Sequence, residues 1–282
     1  MTELRISEEF GQPVLSSKPY DRWISPNGNC TAEFHRVETG YLMRFPDEAD
    51  FFIDRDLGNV TARPADQTDR DHILKLYRNA VVPVIGNHDG GLFLHGSAVA
   101  INGAAIVFLG QSRSGKTTLA GAFAKNGNSL LTEDVIDLVE GDGGYRVRPV
   151  RSKLRLFPDS AEFLFNDIGV DLSVDGKAAV EGGDCIRFAD NPTRLAAVFI
   201  LGNDPAAPLS VAPLSLPQAL PAVIPHAFVL DVEDRQRIKA HFGRLADLAE
   251  MVPIFAIDYP RRYAALTQVC EAVTRTVLEG PR

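Results

Sequence analysis

Eight consecutive residues, Gly110-Gln111-Ser112-Arg113-Ser114-Gly115-Lys116-Thr117, have the types and spacing of a loop that cradles phosphates. The two glycines allow the backbone to approach a ligand closely. Successive N–H groups then converge on phosphate oxygens, helped by roughly half a positive charge at the start of a helix. Lys116 is expected to reach the β and γ phosphates of a nucleoside triphosphate, and Thr117 to place its hydroxyl on Mg²⁺. Thr118 is expected to contribute at the level of the backbone only. The candidate nucleotide-binding residues are therefore Gly110, Ser112, Arg113, Ser114, Gly115, Lys116, Thr117 and Thr118. A glycine- and serine-rich loop without a ligand is the plainer alternative. The flanks argue against it, because an apolar run ends at Leu109, and Leu119, Ala122 and Phe123 then recur at helical spacing.

Phosphoryl chemistry also needs an acid to position Mg²⁺ and, for an alcohol acceptor, to take its proton. Glu133-Asp134 lies just after the helix of the loop, at the end of the next strand. A sheet that sets this strand beside the one before the loop brings both acids near Lys116 and Thr117. Asp204, after the apolar run Ala196–Leu201, is the competing candidate. The adjacent pair is preferred, since two acids can divide metal binding and base catalysis; its plainer reading is a solvated turn. The most basic stretch holds Arg146, Arg148, Arg151, Lys153 and Arg155. Strand spacing puts the last three on one face, where they could clamp phosphate or an acidic peptide, against the plainer reading of a solvated edge strand. Arg155 is the candidate transition-state cation.

The elements that must hold these groups follow from local signals. Leu92–Ile101 and Ala104–Leu109 are β-prone runs joined by Asn102-Gly103, which suits a type I′ hairpin turn. The order is then strand, glycine loop, and a helix ending near Asn126-Gly127, followed by a strand from Ser129 that continues past the acid pair through Val139. Tyr145–Val150 returns from a Gly-rich turn, Ala196–Leu201 reads as a buried strand, and Ile254–Ile257 lies between helices at Asp234–Glu250 and Arg261–Leu278. Upstream, residues 1–65 carry short apolar stretches broken by Gly and Pro, which predict strands. The spacing of Ile73, Leu76, Tyr77, Ala80 and Val81 predicts a helix from Asp69 that ends before Gly86-Asn87 and bridges two parts. The organisation expected is a β-rich part with one bridging helix over 1–87, and a catalytic domain over 88–282.

The whole-chain properties narrow the class. The 282 residues are 45% hydrophobic and 23% charged, as in an ordinary globular protein. With 29 basic against 37 acidic residues the net charge is −8, which argues against nucleic acid and anionic membranes as partners. Cys30, Cys185 and Cys270 are widely separated and spell neither a disulfide framework nor a zinc site. No signal-peptide pattern or bilayer-length apolar run occurs, and a cytoplasmic location is expected. His35, His72, His88, His226 and His241 have no metal-like spacing, and no Gly-x-Ser-x-Gly elbow points to a hydrolase.

Several of these segments resemble one family. Leu94-His95-Gly96-Ser97-Ala98-Val99, the Asn102-Gly103 turn, the loop Gly110–Thr118 and the acid pair Glu133-Asp134 are similar to the catalytic domain of bacterial HPr kinase/phosphorylase, and more distantly to phosphoenolpyruvate carboxykinase. The similarity is best over about 88–165. Tyr41-Leu42-Met43-Arg44-Phe45-Pro46 and Leu154–Asp159 also resemble the HPr-kinase-like branch found with lasso peptides, which phosphorylates a serine of the precursor peptide. The resemblance implies an α/β fold, with a P-loop kinase core and a mixed sheet, behind a small β-rich N-terminal part. It implies ATP and Mg²⁺ as cofactors, base and metal functions for the acid pair, and a His95 that points at the reacting phosphate in an electrostatic role.

The departures are informative. Glu133 stands where the family usually has Asp, which makes Asp134 the expected base or metal ligand. Arg113 replaces a usual Gly and Thr117 a common Ser. The Glu-Ile-Arg-Gly signature and the separate N-terminal domain of true HPr kinases are missing, so neither HPr as substrate nor the phosphorylase activity is carried over. The expectation is an ATP-dependent kinase acting on a serine hydroxyl of a peptide or protein, with a lasso peptide precursor as partner; a homo-oligomer is compatible with the sequence. A kinase of a small hydroxyl metabolite and a nucleotide-gated binding module are the alternatives, and Asn203-Asp204 does not form the guanine-reading motif of a GTP switch.

Overall fold

The computed structural model describes residues 2–66, 68–150, 153–165, 171–172, 178–180 and 186–280. The chain divides into two units: Met1–Gly91 with Phe228–His241, and Leu92–Ala227 with Phe242–Arg282.

The first unit is built on six strands, β1 (Glu3–Ile6), β2 (Asp21–Ile24), β3 (Cys30–Val37), β4 (Gly40–Phe45), β5 (Ala49–Asp54) and β6 (Asn59–Pro64), in the order β1-β6-β5-β4-β3-β2. Phe34, Met43, Phe51 and Ala62 stand opposite one another across four neighbouring strands, forming a fully buried row. Such cross-strand rows of large apolar side chains hold the register of a sheet. Against it lies a helical stretch, α1 (Arg70–Leu76), a π turn (Tyr77–Val81) and α2 (Val82–His88), with Tyr77 stacked on Phe51. Asp69 caps the start by accepting from the His72 N–H. The helix does not stop before Gly86, as its spacing predicts, but runs through His88. Pro83 has no N–H and its ring crowds the preceding turn, so the helix widens just upstream and the Val82 N–H bonds to Tyr77 O, five residues back.

The second unit carries the site. Asn102 and Gly103 adopt φ values of 50° and 80°, as a type I′ turn requires, and join β7 (Leu92–Ile101) to β8 (Ala104–Leu109) in the register Gly96↔Leu109 to Ile101↔Ala104. After the glycine loop comes α3 (Lys116–Lys125), then β9 (Ser129–Thr132), β10 (Val135–Gly141), β11 (Gly144–Arg148), β12 (Leu154–Leu156) and α4 (Pro158–Phe165). β14 (Ala178–Val180) pairs with β12 on one side and with β13 (Asp171–Leu172) on the other, in a small sheet. β15 (Thr193–Leu201), β16 (Ser210–Pro213), α5 (Leu216–Val223), β17 (Ile254–Asp258) and α7 (Leu266–Glu279) complete the unit, and α6 (Arg235–Met251) is divided between the units at His241.

The main sheet has the order β11-β10-β7-β8-β15-β17-β16, with β9 also on β7 and an additional β11–β15 pairing. β15 is parallel to both β8 and β17, while the other pairs are antiparallel, so the sheet is mixed and the fold is of the mixed α/β class. Phe108, Phe123, Phe199 and Phe255 form a chain of ring contacts between α3 and the sheet. Burying each ring contributes about 2 kcal/mol, which fixes α3 against the strand that delivers the loop.

Two sequence expectations are corrected here. The strand carrying the acid pair is interrupted: β9 ends at Thr132↔Ala98 and β10 begins at Val135↔His95, leaving Glu133 and Asp134 in a turn between them. This strand is also not beside β8, because β7 lies between the two. Among the described residues, no helix is long and apolar enough to cross a membrane.

Candidate active site

The loop from Gly110 to Gly115 leaves the end of β8 and enters α3 with no side-chain cap at the helix start. Gly115 has φ 95°, and a Cβ there would sit 2.9 Å from the Tyr259 hydroxyl oxygen, so both conformation and space require glycine. Lys116 is buried and its Nζ donates to Gly110 O at 2.8 Å and Gln111 O at 3.0 Å, folding the ammonium over the loop. Ser114 is buried as well, and its Oγ has no hydrogen-bond partner. A buried hydroxyl without a partner costs about 1–3 kcal/mol. An uncapped helix start, an orphaned hydroxyl and a glycine cradle together fit a bound phosphate chain.

Across the cavity stands the acid pair. Asp134 has φ 65°, the left-handed conformation that the turn between β9 and β10 imposes. Its carbonyl accepts from the Gly96 N–H at 3.2 Å and from His95 Nδ1 at 2.9 Å. A carbonyl only accepts, so His95 carries its proton on Nδ1 here. The close approach at this corner excludes a side chain on Gly96, where a Cβ would lie 2.6 Å from Phe108 O.

Arg155 on β12 ties the pair together. Its backbone N–H and Nε both donate to Glu133 carboxylate oxygens at 2.9 Å, and a second guanidinium nitrogen donates to Asp134 Oδ2. Glu133 is almost fully buried, and burial, aided by the neighbouring Asp134 charge, pushes its carboxyl from an ordinary 4.5 up to about 7, against the opposing pull of Arg155. The geometry separates the two acids: Asp134 lines the cavity and Glu133 does not.

One cavity of about 920 Å³ brings these groups together, lined by Ser112, Arg113, Gly115, Lys116, Thr117 and Thr118 from the loop and helix, and by His95, Asp134 and Arg155 from the strands. Arg113 lies over the Phe157 ring at 5.8 Å. Of the remaining basic residues, Arg148 pairs with Asp137 at 2.8 Å, Arg146 and Lys153 are exposed, and Arg151 lies outside the described residues, as does Cys185. Asp204 does not line the cavity; its carboxylate accepts from the Ala206 N–H.

The far end of the cavity was not legible in the sequence. Ser160, at the start of α4, links the Thr118 hydroxyl at 3.2 Å to the Tyr263 hydroxyl at 3.0 Å, and Tyr263 donates to Asp159 at 2.7 Å. Thr118 therefore contributes its hydroxyl to a chain of polar contacts, beyond the backbone role expected of it. Nothing in the spacing of Ser160 and Tyr263 marks them, since α4 and the segment after β17 meet only in the fold. No group of three or more His, Cys, Asp or Glu residues that could hold a metal ion occurs among the described residues. A cation here would have to share its ligands with phosphate oxygens.

No family model matches the chain, and no curated protein matches it. Among solved structures it is similar to the HPr(Ser) kinase/phosphatase from Coxiella burnetii, at 14% identity and a TM-score of 0.35, over 66% of this chain and 91% of that one.

Proposed function

We propose that the chain is an ATP-dependent phosphotransferase that moves the γ-phosphoryl group to a hydroxyl, the acceptor being a serine of a peptide or protein such as a lasso peptide precursor. The observation that carries this reading is the single cavity in which Lys116 and the loop face Asp134, Arg155 and His95. The loop amides and Lys116 hold the phosphates, with Lys116 exchanging two carbonyl partners for phosphate oxygens. Thr117 and Asp134 are the residues that would hold Mg²⁺ beside the phosphates. The cation supplies charge neutralisation on the phosphate oxygens. Asp134, facing the cavity, takes the proton of the acceptor hydroxyl as its oxygen bonds to phosphorus and the bond to the departing ADP oxygen breaks. Glu133 acts through Arg155, holding the guanidinium where it can meet the transferred group. The serine-peptide acceptor rests on the resemblance of the loop, acid pair and flanking motifs.

The test is transfer of label from γ-labelled ATP with Mg²⁺ to serine peptides and to small hydroxyl metabolites. Label on a peptide that falls by about 10³-fold in Lys116→Ala supports the reading. Label only on a metabolite moves the acceptor to that class. ATP binding without transfer to either makes the chain a nucleotide-gated module, and a Lys116→Ala protein that transfers at the original rate ends the proposal.

A further inference from the structure

The register of β7 sets one more residue beside His95. Along β7 the ladder with β8 ends at Gly96↔Leu109, because the next residue, Gly110, leaves the sheet to begin the loop. Beside Leu94, past the end of that ladder, Ala227 forms an isolated antiparallel bridge. At an antiparallel bridge between 94 and 227 the residues beside the bridge are 95 and 226. His226, the last residue of the 3₁₀ turn Ile224–His226, is thus set against His95 where the loop departs.

We propose that His226 is a second imidazole of the phosphate site, donating a hydrogen bond to the terminal phosphate of a bound nucleoside triphosphate and biasing the site toward triphosphate over diphosphate. This rests on the phosphotransferase reading. Three observations specify the role. His95 lines the cavity and is bound through Nδ1 to the Asp134 carbonyl, so a residue set beside His95 lies toward the acid end, where the transferred group must lie. Lys116, the residue that meets the β and γ phosphates, is close enough for its charge to act on His226. Burial, reinforced by Lys116 and His95, holds the His226 imidazole down to about 4. A ring that is neutral at pH 7 still has one N–H to donate, and it does so without adding repulsion to a cluster already holding Lys116. The sequence offers no hint of this, since 130 residues separate the two histidines and their meeting depends on one bridge.

The test is equilibrium binding of the nonhydrolysable analogue AMP-PNP and of ADP, each with Mg²⁺, to the full-length wild type, His226→Phe and His226→Gln. His226→Phe is expected to weaken AMP-PNP by about tenfold while ADP changes by less than about twofold, and His226→Gln, which keeps a donor, to recover most of the loss. The ratio of the two affinities is insensitive to the fraction of protein that is folded, so a partly unfolded variant still reports. Equal weakening of both nucleotides, or no change in either, overturns the role of His226 and leaves the phosphotransferase reading standing. A wild type that binds neither nucleotide overturns both.

Discussion

In each unit an arginine meets a buried carboxylate, and the two encounters differ in number. In the first unit Arg44 and Asp50 stand opposite each other on β4 and β5, joined by two parallel hydrogen bonds of 2.8 and 2.7 Å. Gln12 adds a third donor to Asp50 at 2.8 Å, and Asp50 is 0% exposed. One cation balances one anion. In the second unit a single Arg155 serves both Glu133 and Asp134, and Glu133 is left with a raised affinity for its proton. The balanced pair does what a buried ion pair does in a sheet, fixing register. In the unbalanced cluster one cation serves two acids, and the second acid, Glu133, holds its proton more tightly than an ordinary carboxyl, the kind of perturbation that gathers at functional sites.

The largest effect that sharpens this contrast is expected at Arg155. Arg155→Ala removes the shared cation and should lower phosphoryl transfer by about 10³-fold, read from initial rates with γ-labelled ATP. A loss below about tenfold would place Arg155 with Arg44 as a purely structural residue. Next comes Arg44→Ala, which strands Asp50 and should lower the stability of the first unit by about 3 kcal/mol. Trp23, the one tryptophan of the chain, packs edge-on against Phe34 and reports this unit alone through its fluorescence in urea. Transfer under conditions where the variant is folded should stay within about twofold of wild type.

The smallest effect concerns Glu133. Its carboxyl titrates higher in the folded chain than in the unfolded one, so folding favours the protonated form. The resulting stability is complete below about pH 4.5 and is lost as pH rises through about 7. Between those values the stability of the second unit, relative to Glu133→Gln, should fall by on the order of 2–3 kcal/mol, followed by hydrogen exchange of the β7 and β8 amides. A pH-independent difference would show that Arg155 balances Glu133 fully.

The same contrast explains what could be read from the sequence. The glycine loop, Asn102-Gly103 and the start of α3 are local devices: the φ values, the spacing of amides and the helix start are all set within a dozen residues. The hairpin accordingly matches its expected ends. The acid pair was legible as chemistry and not as geometry, because its place depends on β7 lying between it and β8, a fact of sheet order. The turn at Glu133-Asp134 was hidden too, since Val135–Val139 continues the β-prone run without a break in composition. Arg155 stood out as a cation, yet its attachment to Glu133 depends on β12 arriving from twenty residues away. Ser160 and Tyr263 lie on two further elements and come to the cavity only through packing.

The most direct test is a structure of the chain with Mg²⁺ and AMP-PNP. The account predicts the terminal phosphate within hydrogen-bond distance of Lys116 Nζ, with Lys116 released from the Gly110 and Gln111 carbonyls and Asp134 facing that phosphate. A nucleotide bound elsewhere, with Lys116 still closed on the two carbonyls, would contradict it.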